Sequence, residues 1–515
     1  MVLLERAAHR IPHHIVAGER SPIELHQCVA KMGASLRRFR PNGGDRLHAE
    51  AEAQRQTRPL LAMTQVVIHT DRPANPIAEG QHEQQDRQGI GAFACVHSAD
   101  RESRDTNVDS EPRPPMAELP DPRALLAETF GSGGESALVS APGRVNLIGE
   151  HIDYHGLPVL PIAIRRSVRV AFRGRPDRRI RAVSAGYGVR DFAWTADLAP
   201  TVAGDWENYL RAAACAVGRK WGAGRGVDAA IVSDLPPAAG LSSSSALIVA
   251  FTLSLLRAND AAPTFEELME VLPEGEQFVG TRGGGMDHAA SLASRAGCAS
   301  LIEFDPLAVR PVPVPPDWAF LVAHSLTVAE KSGALRQRYN ACRAAGTTAL
   351  ARLGFASYRL AIQGRSLAQL EELAARNLND DAERASFLHV ASEAMRVHAA
   401  VAAMERHDAA AFGSLLGASH ASLRDRLHVS CAALDRLVQA AVDSGALGAR
   451  LTGAGFGGCA VVFCRQPDLP AVRNGLIRRY YAGLPQFDER MHLIHADPGP
   501  GALQSIKEIH APPPD

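Results

Sequence analysis

No run in this chain approaches the roughly 20 consecutive apolar residues that a membrane-spanning helix needs, and its eight cysteines contain no CxxC pair. Neither a disulfide scaffold nor a zinc ribbon fits so sparse a set. Cys459 and Cys464 lie in an apolar run and read as small packed hydrophobes. Excess charge is missing as well. Fifty-five basic residues face fifty-six acidic ones, for a formal net charge of -1, which argues against a general nucleic-acid surface and against a polybasic membrane anchor. Residues 1–30 lack the apolar core of a signal peptide. The Gly-Lys dipeptide does not occur, so there is no Walker loop. What is present is 515 residues, 46% hydrophobic and 22% charged, enough for two or three domains with self-sufficient cores. The expectation is a soluble, cytoplasmic protein with no nucleic-acid and no membrane partner.

The chain changes character near Met116. Residues 1–115 are polar, poorly periodic and broken by proline, most clearly at Pro112-Arg113-Pro114-Pro115, and their eight histidines follow no ligand spacing. Such a segment buries too little apolar surface to offset its ordering entropy. It reads as a disordered extension, or as upstream sequence joined to a chain that starts at Met116. The competing view is a regulatory or oligomerisation module, which would resist proteolysis where a tail would be trimmed. Regular patterning follows: a helix after Pro120-Asp121-Pro122, strands at 137–140, 159–164, 166–172 and 227–232, and an apolar helix from Ser244 to about Arg257. The proline-rich stretch 306–316 is the candidate linker. Beyond it come a strand at 319–323, long helices at 334–353 and 382–406, and an apolar strand at 459–464. The expected division is 116–310, 311–500 and a tail, 501–515.

Four segments carry chemistry. In Leu235-Pro236-Pro237-Ala238-Ala239-Gly240-Leu241-Ser242-Ser243-Ser244-Ser245-Ala246 a strand ends in a small-residue loop and serines open an apolar helix. The unpaired amides and positive dipole of such a helix start suit a phosphate. Capping needs only one serine, so capping and phosphate binding both fit. The stretch Gly143-Arg144-Val145-Asn146-Leu147-Ile148-Gly149-Glu150-His151-Ile152-Asp153-Tyr154 packs donors and acceptors into a short turn-rich segment, as recognition of several hydroxyls requires. Taken singly, Glu150 reads equally well as a helix cap and His151 as a core histidine. Gly283-Gly284-Gly285-Met286-Asp287 allows close approach and presents a carboxylate. Leu451-Thr452-Gly453-Ala454-Gly455-Phe456-Gly457-Gly458 is a glycine-rich turn before a strand, weak evidence alone.

In order and content these segments resemble the galactokinase branch of the GHMP small-molecule kinases, over roughly residues 116–498. Ser419-His420-Ala421-Ser422-Leu423-Arg424-Asp425 adds a further similar stretch. Glu150-His151-Ile152-Asp153-Tyr154 and Gly280-Thr281 with the following glycines look closest to eukaryote-type galactokinases and N-acetylgalactosamine kinases. The resemblance implies an α+β, two-domain fold with the active site in the interdomain cleft. It also implies ATP-dependent phosphorylation of the anomeric hydroxyl of galactose, by a monomer or weak homodimer. By the same resemblance, the amides of Ala238, Ala239, Gly240, Leu241, Ser242, Ser243, Ser244 and Ser245 hold ATP. Ser244 and Glu276 hold Mg²⁺, Asp287 is the base and Arg144 its partner, and Glu150, His151, Asp153, Gly284 and Tyr339 grip the sugar. Two positions depart from the family pattern: His288 stands where Gln is usual, and His155 where the bacterial pattern has Asn. Both border the sugar segment and bear on the choice of sugar. The alternatives are a kinase for N-acetylgalactosamine, arabinose or fucose, and a non-catalytic galactose sensor, which an intact catalytic set disfavours.

Overall fold

Asp121 caps the first helix, its carboxylate accepting from the amides of Arg123 and Ala124 at 2.6 and 3.1 Å, with Pro122 pre-set for the first helical position. The computed structural model describes residues 119–195, 197–236, 240–279, 284–327 and 333–504, and for 276–277 and 333–336 the backbone alone. The expectations for residues 1–115 lie outside this set. The first half runs α1 (Pro122–Phe130), β1 (Ala137–Ile148), β2 (Leu160–Gly174), β3 (Arg179–Ser184), β4 (Gly188–Ala193), α2 (Glu207–Trp221), β5 (Val227–Ser233), α3 (Ser243–Ala258), α4 (Phe265–Phe278), α5 (Met286–Ala293), β6 (Cys298–Phe304) and β7 (Leu307–Pro313). The second half runs β8 (Trp318–His324), α6 (Gly333–Arg352), α7 (Tyr358–Ile362), α8 (Leu367–Asn377), α9 (Asp381–Glu405), α10 (Ala409–Asp425), α11 (Ala432–Val442), β9 (Gly448–Thr452), β10 (Cys459–Arg465), α12 (Leu469–Leu476), α13 (Glu489–His492) and β11 (Leu493–His495).

The strands form a five-stranded sheet, β1-β2-β5-β3-β4, a four-stranded sheet, β11-β8-β10-β9, and the hairpin β6-β7. Only the β3–β5 pair is parallel. Helix α3 is apolar nearly all round, as a helix buried between layers must be: Ile248, Val249, Phe251, Leu253, Leu255 and Leu256 are all buried, and it packs on β1 and β2. One apolar cluster runs from Val139 to Ala502 and takes in Phe320, Phe387, Phe412 and Phe463 from the second half. Cys459 and Cys464 are buried free thiols. Among the described residues no helix is long and apolar enough to cross a membrane.

Two expectations change. The strands expected at 159–164 and 166–172 are one 15-residue strand, β2. Arg165 turns its side chain to solvent, and Arg166 donates to the carbonyls of Asp234 and Arg490 at 3.1 and 2.6 Å, so neither charge interrupts the backbone. The stretch 306–316 is no free linker, because β7 pairs along its length with β6. Pro311 and Pro313 are accommodated because β7 is the outer strand of this hairpin, where a missing N–H need not break a ladder.

Candidate active site

Four turns converge where β1 ends, α3 and α5 begin, and β9 gives way to β10. Asp287 stands in the first turn of α5, launched by Gly285 at φ 104°. Arg144 on β1 grips one of its oxygens: Nε and Nη2 lie 2.7 and 2.6 Å from Oδ1. The same guanidinium donates from Nη1 to the Gly240 carbonyl at 2.8 Å. Ser242 Oγ donates to the other oxygen, Oδ2, at 2.5 Å, and Ser245 Oγ is 3.4 Å from it. Burial works against the charged form of Asp287, but Arg144, the Ser242 hydroxyl and the neighbouring His288 together hold the carboxyl below its usual range. For Arg144, burial is outweighed by Asp287 and Glu150, which keep it cationic.

Ser242 bears on the capping reading of the serine run. It occupies the N-cap of α3, yet its backbone is left-handed (φ 56°, ψ 38°) and its side chain makes no capping bond. The hydroxyl that ordinarily satisfies a helix amide is spent on Asp287. The start of α3 thus has no side-chain cap from Ser242. Gly240, Leu241, Ser243, Ser244 and Ser245 frame this start, and the Leu241 carbonyl accepts from the Arg144 amide at 3.2 Å. Ala238 and Ala239 lie outside the described residues.

The sugar segment is held from several sides. Asp153 Oδ2 accepts from the Gly284 amide at 3.0 Å. Its burial and the nearby charges of Asp287 and Glu150 push its carboxyl up to about 6. His151 Nε2 donates to the Ala454 carbonyl at 3.2 Å, so Nδ1 accepts from the Tyr154 hydroxyl at 2.9 Å; burial lowers its pKa and keeps the ring neutral. Tyr339 on α6 sets its ring 5.1 Å from that of His151 and 5.6 Å from that of Tyr154. Glu150 is buried, with Oε1 accepting from the Gly453 amide at 2.6 Å and from Thr452 Oγ1 at 3.2 Å. It ties the sugar segment to the glycine-rich turn, which explains why that turn belongs to the site.

For a divalent cation, the two expected ligands offer a hydroxyl and a carboxylate, the oxygen donors that Mg²⁺ favours. Ser244 is in the first turn of α3. Gly275, the residue before Glu276, packs on Ile248, one turn further along α3. Among the described residues no cluster of three or more His, Cys, Asp or Glu surrounds a metal position.

Several residues of this network had no sequence signal. Arg450, fully buried on β9, donates to the carbonyls of Asn146 and Leu147, both at 3.0 Å. Ser419 and Ser422, noted only as part of a similar stretch, bond to Glu393 and His389 on α9 at 2.6 and 2.9 Å. A buried acid and histidine four residues apart in an apolar helix were the only hint.

The family models for the GHMP kinases N terminal domain and GHMP kinases C terminal match residues 208–295 and 400–483. The galactokinase galactose-binding signature matches residues 124–174. A galactokinase of Roseiflexus sp. (strain RS-1) is 38% identical over 350 residues, covering 67% of this chain and 87% of that protein. A galactokinase of Homo sapiens is 35% identical over 395 residues, covering 73% and 95%. Among solved structures, Lactococcus lactis galactokinase complexed with galactose superposes with a TM-score of 0.66 at 27% identity, covering 74% of this chain and 97% of that one. The chain belongs to the galactokinase family.

Proposed function

We propose that this protein transfers the γ-phosphoryl group of ATP to the anomeric hydroxyl of galactose, giving galactose 1-phosphate. The observation that carries the reading is Asp287, held by Arg144 on one oxygen and by the phosphate-loop Ser242 on the other. A base for the sugar hydroxyl and the start of the helix that receives phosphate are thereby one hydrogen bond apart. Phosphoryl transfer asks a protein chiefly for positioning and charge neutralisation. The start of α3, with the amides from Ala238 to Ser245, receives the nucleotide phosphates. Ser244 and Glu276 hold Mg²⁺, which when bound neutralises phosphate charge. The sugar is gripped by Glu150, His151, Asp153, Gly284 and Tyr339, with its anomeric hydroxyl toward Asp287. Oδ2 takes the hydroxyl proton, since its partners are serine hydroxyls that can rotate away, whereas Oδ1 is clamped by the Arg144 guanidinium. Arg144 is also the cation nearest the transferring group.

A kinase for N-acetylgalactosamine, arabinose or fucose is the second reading, favoured by His155 and His288, which border the sugar segment and differ from the common pattern. ATP turnover over a panel of sugars, with product analysis, separates these readings; absence of sugar-dependent ADP release with every sugar of the panel, arabinose included, refutes both and leaves a sensor. Asp287→Asn keeps size and most hydrogen-bonding shape but removes the proton acceptor, for an expected kcat loss of about 10²–10⁴-fold with sugar binding retained. More than half the wild-type kcat in that variant rules out Asp287 as the base.

A further inference from the structure

Helix α9 touches no reacting group, yet it holds the backbone from which the sugar segment starts. His389, Glu393 and Val397 fall at i, i+4 and i+8, one stripe of that helix. His389 and Glu393 are both fully buried. Glu393 Oε1 accepts from the Gly149 amide at 2.9 Å and from Ser419 Oγ at 2.6 Å, while Oε2 accepts from Arg396 Nε at 2.7 Å. His389 Nε2 donates to the Glu150 carbonyl at 3.0 Å, so Nδ1 accepts from Ser422 Oγ at 2.9 Å. Burial drives the His389 pKa down to about 4, and the ring bonds as a neutral tautomer. Gly149 is left-handed at φ 106°, and a Cβ there would come within 3.0 Å of both Val159 Cα and Val397 Cγ2. The loop is thus pressed against the stripe with its orphaned N–H and C=O each answered by one buried polar side chain.

We propose that Glu393 and His389 are positioning residues for sugar recognition, a buried bracket that fixes the two peptide units flanking Gly149 and Glu150, Ile148–Gly149 through its N–H and Glu150–His151 through its C=O, and so aims Glu150, His151 and Asp153 at the acceptor. A buried carboxylate is expensive to keep when apolar packing alone would hold two helices. Its principal loop partner is a backbone amide that no other group reaches among the described residues. Ser419 and Ser422 on α10 orient the bracket in turn, which gives their stretch of sequence a role. The proposal rests on the reading that residues 150–153 grip the sugar.

The test measures KM for acceptor and for ATP, together with the ratio of kcat/KM for the preferred sugar over its C4 epimer, none of which depends on the fraction of folded enzyme. The panel sugar with the highest wild-type turnover serves as acceptor, so a mistaken sugar shows in the wild type and a failed bracket only in the variants. Glu393→Ala is expected to raise acceptor KM about tenfold, the effect of one lost charge-assisted hydrogen bond. It also lowers the epimer ratio and leaves ATP KM within about twofold. Glu393→Gln, which keeps an acceptor for the Gly149 amide, recovers most of the loss. Ser422→Ala touches neither loop nor substrate and frees only the His389 ring; it raises acceptor KM by about two- to threefold, and it remains informative where Glu393→Ala does not fold. Acceptor and ATP KM rising together, or soluble variants with unchanged KM and epimer ratio, overturn the proposal.

Discussion

Asp153 and Asp287 are neighbours of like charge with opposite fates. Arg144 and Ser242 keep Asp287 ionised, whereas Asp153 has only the backbone amides of Gly284 and Tyr154 against burial and two nearby carboxylates. A carboxyl raised to about 6 from 3.8 binds more protons folded than unfolded across that interval, so its ionisation destabilises the fold as pH rises through it. The penalty is fully present above pH 6 and absent below about 4. Asp153→Asn is therefore expected to stabilise the ligand-free protein at pH 7.5, by about 3 kcal/mol at most, and to lose that advantage near pH 4 in parallel thermal melts. In activity the same residue should give the wild type an acid limb near pH 6 in kcat/KM for the sugar, absent from the variant. A melt difference independent of pH shows that desolvation and charge at Asp153 are not the cause.

Two elements meet edge on where the loop before α5 passes the sugar segment. A Cβ on Gly284 would sit 2.3 Å from the Asp153 carbonyl carbon and 2.5 Å from the Tyr154 amide nitrogen. Both are backbone atoms that cannot swing aside. Gly284→Ala must part the two loops, and a displacement near 1 Å at a reacting centre costs on the order of 10²-fold. Steady-state kinetics should show that loss in kcat/KM for sugar, with ATP KM little changed. The site glycines and Asp287 were legible in the sequence because a carboxylate after three glycines is a local pattern. The Asp121 cap and the apolar α3 were legible for the same reason. The unbroken run of β2 was not, since Arg165 and Arg166 mimic a break until the exposure of the first and the carbonyl partners of the second, at Asp234 and Arg490, are known. Nor was the bracket on α9: its meaning comes from Gly149, more than two hundred residues away.

At the scale of the molecule, the chain's last described stretch closes its first sheet. The Gly499 amide donates to the Ala163 carbonyl at 2.8 Å, the Ala496 amide to Phe320 at 2.9 Å and the Gly501 amide to Ser294 at 2.8 Å, while Pro498 accepts from Gly297 at 3.0 Å. Ala496 and Ala502 are buried in the shared apolar cluster. Deleting the chain from residue 496 onward removes none of the site residues, yet it strips a row of backbone partners from β2, β8 and the start of β6. Such a protein is expected to lose its cooperative melt and most of its soluble yield, as checked by calorimetry against the full chain. Synthesis runs from the other end. Domains generally fold as they emerge, but here β1 and β2 leave the ribosome hundreds of residues before the strip that seals them. The nascent chain must keep that apolar sheet from aggregating throughout this interval, so a premature stop late in the message is as disabling as one that removes Asp287.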